Sequence, residues 1–350
     1  LSLALYAGHI IDQSEKRRLL LKGVVLYFLA AIALVFISGK LVSHHLTNHW
    51  IAICIYFVIF CTGIFRAFTG PVFSALIAYI VPRNDLQNAT TWSQGSWLSA
   101  SVTGHATGGF LIALAGITNT LITISFLILI SFFFLYRLKA KPASNIKGAV
   151  RTWESVKEGL RFVYKTKELL ASLSLDLFAV LFGGAVALIP IYARDILKVG
   201  AEGFGILNGA ADMGSILIVI ILTVFPAKKK QGKKLILAVG GFGICILIFG
   251  ISKIFLLSFA ALMISGMLDG ISVVVRGTIT QLMTPDNMRG RVMSVNSMFV
   301  NSSNELGQFE SGVAAKLMGT IPSVIFGGSM TLLVVIFTWF KSPTLRKMEY

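Results

Sequence analysis

The sequence predicts an all-α membrane protein made of two similar helical bundles. Three observations carry that expectation. Hydrophobic residues make up 55% of the 350 and charged residues only 13%, with a mean hydropathy of +0.81. A soluble domain carries about 25% charged residues, so too few ionic side chains remain here to cover a water-facing surface. Long apolar runs recur along the whole chain, and one basic stretch, residues 138–167, divides them into two series.

About 20 apolar residues cross a bilayer. On that ruler residues 1–11 form the tail of a span, followed by spans at 19–38, 50–80 (broken near Gly70-Pro71), 90–115 and 118–136. The second series gives 169–192, 203–225, 235–251, 254–283, 292–318 and 322–340. Leu1 falls inside an apolar run, so the expectation is a chain whose first helix and part of whose second are missing; with them the two halves would be equal. The division expected is an N-terminal bundle at 1–138, a cytosolic linker at 139–168 and a C-terminal six-helix bundle at 169–350. Within the linker Trp153, Val156, Leu160 and Val163 share one helical face, opposite Glu154, Lys157, Glu158 and Arg161. Such a helix lies on the membrane surface or packs on protein.

Charge supports this topology. The net charge of +16 would suggest nucleic acid in a soluble protein, but here the basic residues sit in short loops. Of 31 Lys and Arg, 24 fall in alternate loops on the side of the linker, and only Lys40, Arg194, Lys198 and Lys253 on the other. That asymmetry places the linker and the C-terminus in the cytoplasm, with the lipid bilayer and its anionic headgroups, not nucleic acid, as the partner. An internal repeat marks the same two halves. Val81-Pro82-Arg83-Asn84 and Thr284-Pro285-Asp286-Asn287 each end a span, 203 residues apart. At that offset Gly63 matches Gly266, Arg66 matches Asp269, Gly104 matches Gly307 and Gly109 matches Gly312. Parallel repeats joined by a cytosolic loop are a transporter architecture.

An ionisable group deep in a span costs roughly 2.5–3.5 kcal/mol on insertion scales, so it faces a cavity or a partner. The candidates are Arg66, His105, Asp176, Asp212, Asp269, Arg276, Glu305 and Glu310. Residues 292–318 add Asn296, Asn301, Asn304 and Gln308, and lipid cannot surround such a helix. Gln94, Ser101 and His105 match Ser297, Asn304 and Gln308 in the repeat, and each set lies on one helical face, expected to look into a groove between the bundles. Asp269 and Arg276, seven apart, share a face as a proton- or substrate-responsive pair or as a structural one. His105 reads first as a helix-packing hydrogen bond. Asp176 and Asp212 have no basic residue one turn away, and protonation is then the alternative to pairing. Lys316, near a span end, snorkels. Gly104, Gly108, Gly109, Gly307 and Gly312 are expected to let helix backbones approach, and Gly183-Gly184 and Pro190 to bend the first helix after the linker.

Other chemistries find no support. Cys54, Cys61 and Cys245 lie in apolar runs without metal-ligand spacing. There is no GxxxxGK[ST] loop and no nucleophile triad, so the expectation is a non-enzyme without metal or cofactor.

Gly8, Asp12, Lys16 and Arg17 fit GxxxD(R/K)xG(R/K)(R/K), with Gln13 and Glu15 at the positions of its first basic residue and second glycine. On these residues the chain resembles the major facilitator superfamily, whose signature gating loop has that pattern. Arg66-x-x-x-Gly70 is similar to the family's fourth-helix motif, associated with proton coupling. Gly104-His105-x-x-Gly108-Gly109 is similar to the antiporter motif GPxxGG, with histidine for proline. Asp269, Arg276, Gln281, Pro285, Arg289-Gly290-Arg291, Glu305-Leu306-Gly307 and Phe309-Glu310-Ser311-Gly312 resemble the enterobactin-exporter and macrolide-efflux branch. The resemblance implies two six-helix bundles related by a pseudo-two-fold axis. It also implies a monomeric bacterial inner-membrane transporter that exports amphiphilic small molecules against protons by alternating access. Arg66, His105, Asp176, Asp212, Asp269, Arg276, Glu305, Gln308 and Glu310 would line its substrate and proton pathway. An importer or facilitator on the same fold, and a membrane sensor that binds without transporting, are the alternatives.

Overall fold

A computed structural model describes residues 15–39, 47–81, 86–138, 152–224, 230–285 and 288–349. Among them every regular element is helical. Helix α1 is Lys16–Ser38, α2 is Asn48–Ile80 and α3 is Leu86–Arg137. The linker contributes α4, Thr152–Lys165. Helix α5, Lys167–Gly183, is prolonged by a 3₁₀ turn at Ala185–Leu188, a short turn at Ile189–Ile191 and a π turn at Tyr192–Ile196. Then come α6 (Gly200–Val224), α7 (Gln231–Ile251), α8 (Phe255–Met283), α9 (Arg289–Met318), α10 (Thr320–Lys341) and the single turn α11 (Pro343–Arg346).

Eight of the described helices are long and apolar enough to cross a membrane. Their outer faces carry side chains such as Phe57, Phe60, Leu114 and Phe340, exposed by 66 to 82%. So much exposed apolar surface suits lipid, not water. Helix α9 is long but far less apolar, because its asparagines, serines, glutamates and glutamine interrupt it. The break expected at Gly70-Pro71 is absent: α2 is assigned without interruption. Proline forfeits its own amide hydrogen bond, and a span tolerates that loss where neighbours re-satisfy the freed carbonyl.

The internal repeat is visible in the backbone. Gly116 (φ 77°, ψ 170°) turns the chain between the two arms of α3, and Gly319 (φ 92°, ψ 161°) turns it between α9 and α10. The two positions differ by the same 203-residue offset. Positive φ is costly for any residue with a Cβ, so glycine at both is a requirement of the turn.

The chain divides into two compact units. The first comprises Leu1–Trp97 and Leu111–Trp153. In it Leu20, Val72 and Leu76 form a small core with Leu19 and Leu135. Tyr27 Oη lies 3.3 Å from Thr69 Oγ1, and Thr118 Oγ1 donates to the Ser38 carbonyl at 3.2 Å. The second unit comprises Leu98–Phe110 and Glu154–Tyr350. One of its cores gathers Val163, Leu173, Leu235, Ile279 and Val292, the other Leu188, Leu207, Phe249 and Leu262. Helices α6 and α8 cross tightly: a Cβ on Gly214 would meet the Met263 carbonyl, and one on Gly266 the Ala211 carbonyl. Ser215 Oγ donates to the Gly266 carbonyl across that crossing at 2.9 Å.

For α4 the structure favours packing on protein. Val163 is fully buried, a Cβ on Gly159 would stand 2.9 Å from the Arg291 carbonyl, and Glu158 pairs with Arg291 at the start of α9.

Candidate functional site

The second unit contains two carboxylates in its spans that are held differently. Asp176 on α5 forms an ion pair with Arg276 on α8, and both side chains are buried, 7% and 6% exposed. This corrects two expectations. Asp176, with no basic residue one turn away on its own helix, is carried by pairing across helices and not by protonation alone, and the carboxylate that Arg276 meets is not Asp269. Position within one helix cannot show a partner on another, and the pair forms where α5 and α8 are already joined by Leu173, Ala179, Val275 and Ile279. Asp269 is half-buried, with no hydrogen bond or ion pair among the described residues.

Asp212 on α6 is held by a serine and a histidine. Ser101 Oγ donates to its Oδ2 at 2.5 Å, and His105 Nδ1 lies 3.0 Å from the same oxygen. Both partners belong to the segment Leu98–Phe110 of α3. The helices reach each other because the crossing is built from glycine. A Cβ on Gly109 would lie 2.8 Å from the Gly205 Cα, and one on Gly205 2.8 Å from the His105 carbonyl. Gly209 faces the His105 Cβ one turn further on. Ser101, His105 and Gly109 thus form an i, i+4, i+8 stripe against Gly205, Gly209 and Asp212, with the chains antiparallel. Ser101 is named with His105 on the face expected to look into a groove, whereas Gly205 and Gly209 are absent from the expected residues. The Gly205-x-x-x-Gly209 spacing was the available signal. The site is half-open, with His105 39% and Asp212 27% exposed.

The bend expected in α5 is present at Gly184 (φ −68°, ψ 43°), where the α-helix gives way to the 3₁₀ turn. Hydroxyls from neighbouring helices take the carbonyls around the break. Thr331 Oγ1 donates to Ala179 at 3.1 Å, and Ser311 Oγ donates to Gly184 at 3.2 Å. A Cβ on Gly307 would stand 2.8 Å from the Val180 carbonyl, so α9 lies directly on the broken helix. Of the glycines expected at helix crossings, Gly109 and Gly307 are so used. At Gly104, Gly108 and Gly312 an added Cβ meets nothing within 4 Å, so close packing does not explain them.

Helix α9 shows three faces. Ser303, Gly307, Ser311 and Ala314 form a buried stripe of small residues against α5 and α10. Leu306, Phe309, Val313 and Leu317 are apolar and exposed. Ser297, Asn301, Asn304, Glu305, Gln308 and Lys316 are polar and exposed, with Glu310 half-buried at the edge of the packed side. In the first unit Arg66 is exposed on α2. Arg17 Nη2 donates to the Tyr136 carbonyl at 2.5 Å, and its guanidinium lies 5.4 Å from that ring, so it ties the start of α1 to the end of α3. Lys16 is described beside it; Gly8 and Asp12 lie outside the described residues.

A broken helix, a half-open carboxylate within a span and a polar helix face are features of a path through a membrane. A family model for transmembrane secretion effectors, a family of MFS transporters, matches residues 1–350. The chain belongs to that family. It is therefore a major facilitator superfamily transporter, a multi-pass membrane protein and not an enzyme. The protein described as "Uncharacterized MFS-type transporter YfmI" of Bacillus subtilis (strain 168) is 23% identical to this MFS chain over 309 residues, 85% of this chain and 75% of that one. The crystal structure of a D-xylose-proton symporter matches with a TM-score of 0.71 at 14% identity, over 99% of this chain and 87% of its own. The inward-open xylose transporter XylE from E. coli matches at 0.66 and 15% identity, over 99% and 84%. At that identity the two structures show the fold.

Proposed function

We propose that this MFS chain is a proton-coupled exporter of amphiphilic small molecules, of the enterobactin and macrolide kind, and that Asp212 is its coupling carboxylate. It works by alternating access as a monomer in a bacterial inner membrane, with the linker and C-terminus in the cytoplasm. The family's description as a secretion effector supports the outward direction. The exposed polar face of α9 supports a hydrated pathway that takes a substrate with both polar and apolar parts.

The hydrogen bonds of Asp212 carry the coupling assignment. Protonating Asp176 would leave the Arg276 guanidinium buried without its counter-ion, a loss of about 3–5 kcal/mol. Protonating Asp212 leaves only a hydroxyl and an imidazole, both of which accept as well as donate. On the elements packed against α6 the other charged groups in the described residues are Arg137 at the last turn of α3, Asp269 and Arg276 on α8 and Arg194 and Asp195 in the π turn. Arg276 is taken by Asp176 and Arg194 by Asp195, so His105 is the ionisable side chain within ion-pair distance of Asp212. A proton arriving there loosens the link between α3 and α6, and substrate exchange follows.

The test uses everted vesicles with an inside-acid gradient and a fluorescent amphiphile. Wild type is expected to accumulate the dye and lose it on adding an uncoupler. Asp212→Asn should abolish gradient-driven accumulation yet retain dye exchange. Gradient-driven accumulation that persists in Asp212→Asn removes the coupling assignment. The second reading, an importer on the same fold, is favoured by the xylose–proton symporter among the similar structures. Dye or sugar leaving everted vesicles down the same gradient would support it over export.

A further inference from the structure

We infer that the end of the second unit at Trp339 is a binding site for the phosphate headgroup of an anionic phospholipid. Trp339 lies near the end of α10, and two cations address its indole. Arg346 Cζ is 5.2 Å and Lys233 Nζ 6.0 Å from the ring centre. Arg346 Nη1 also donates to the Trp339 carbonyl at 3.4 Å. The cluster is fixed in place. Leu345 is fully buried, a Cβ on Gly232 would meet the Leu345 carbonyl, and the Gly232 amide donates to the Met348 carbonyl at 3.4 Å. The turn α11 is thereby fastened to the start of α7.

Among the described residues neither Lys233 nor Arg346 has a carboxylate partner, although Glu349 lies three residues beyond Arg346. Lys234, Lys341 and Lys347 are exposed around them. Two positive side chains drawn to one ring repel each other, and an anion between them relieves that repulsion. Lipid is the source favoured here. Indoles settle at the membrane–water boundary, and an apolar track leads away from the cations along both helices. Leu237 lies one turn beyond Lys233 on α7, followed by Ile244, and Ile336 lies one turn before Trp339 on α10; all three are exposed. Helices α7 and α10 pack side by side, and these side chains would lie against an acyl chain whose headgroup sits at the cations.

The experiment is native mass spectrometry of the purified full chain, titrated with phosphatidylglycerol or phosphatidylcholine of the same acyl composition. Wild type is expected to retain phosphatidylglycerol preferentially. Lys233→Ala and Arg346→Ala should each weaken that retention about fivefold, the effect of one basic residue at a lipid surface. Trp339→Leu should weaken it as well, and Lys253→Ala should leave it unchanged. Thermal melting of each variant in detergent confirms folding. Equal retention by wild type and the Lys233→Ala/Arg346→Ala variant, or no preference between the two lipids, overturns the proposal. Displacement of the lipid by millimolar glycerol phosphate also overturns it, because it would mark a site for soluble phosphate.

Discussion

Replacing Asp176 by Asn keeps the shape of the side chain and leaves Arg276 charged in a site where both groups are less than a tenth exposed. Removing one member of a buried pair costs about 3–5 kcal/mol, chiefly because the survivor is stranded. At roughly 2–4 °C per kcal/mol for a unit of this size, the melting temperature in detergent should fall by about 6–20 °C. Arg276→Gln should fall by a similar amount. The double variant Asp176→Leu/Arg276→Met removes both charges and fills the space, and such replacements are neutral or stabilising by about 1–4 kcal/mol. The expected outcome is therefore strong coupling: two damaging single variants and a double variant that melts near wild type. Dye transport by that double variant separates structure from mechanism, since a pair that only holds α5 to α8 is dispensable once the core is apolar. A double variant that melts as low as the sum of the singles would show that the two groups do not neutralise each other, and the division of roles between Asp176 and Asp212 would fail with it.

Four further outcomes are expected. Gly205→Val should reduce transport at least tenfold, because its side chain enters the space occupied by the His105 carbonyl and the Gly109 Cα. Gly108→Ala, with open space around it, should change transport less than twofold in the same vesicles. Ser311→Ala and Thr331→Val each remove one hydroxyl from the break in α5; at about 0.5–1.5 kcal/mol per hydrogen bond each should lower the melting temperature by a few degrees, and no change in either would mean the carbonyls are satisfied otherwise. Asn301→Leu/Asn304→Leu/Gln308→Leu should leave melting unchanged or raise it while dye transport falls below a tenth of wild type. Full transport by that triple variant would remove α9 from the pathway.

The sequence and the structure agree where the physics is local. Hydropathy alone separates 90–115 from 118–136 and ends another span at 318, and Gly116 and Gly319 turn the chain in those gaps. The bend at Gly183-Gly184 follows from two adjacent glycines, which leave a helix little to hold it. What the sequence could not show is pairing between helices. Its intrahelical spacing relates Arg276 to Asp269, while the ion pair joins Arg276 to a helix 100 positions earlier. His105 and Asp212 read as a packing group and an isolated acid, and the structure joins them in one contact 107 residues apart in sequence. Glycine spacing misled in part: Gly104 and Gly109 look alike in a motif, but only Gly109 among these two faces another backbone.

Helix α9 explains why one unit needs both a dry ion pair and a wet polar face. Four carboxamides and two carboxylates make it a poor span by itself, so it depends on α5 and α10 to remain in the bilayer. Its small residues Ser303, Gly307, Ser311 and Ala314 let it settle close against them, and Ser311 spends its hydroxyl on the carbonyl at the break in α5. The attachment is thus made through the packed stripe, and the face with Asn301, Asn304 and Gln308 takes no part in it. Polar groups that do not hold the fold together are the ones a substrate can address without unfolding it. The same reasoning separates the acids: Asp176 is bound to the core through Arg276, while Asp212 meets a serine and a histidine at a half-open contact between α3 and α6.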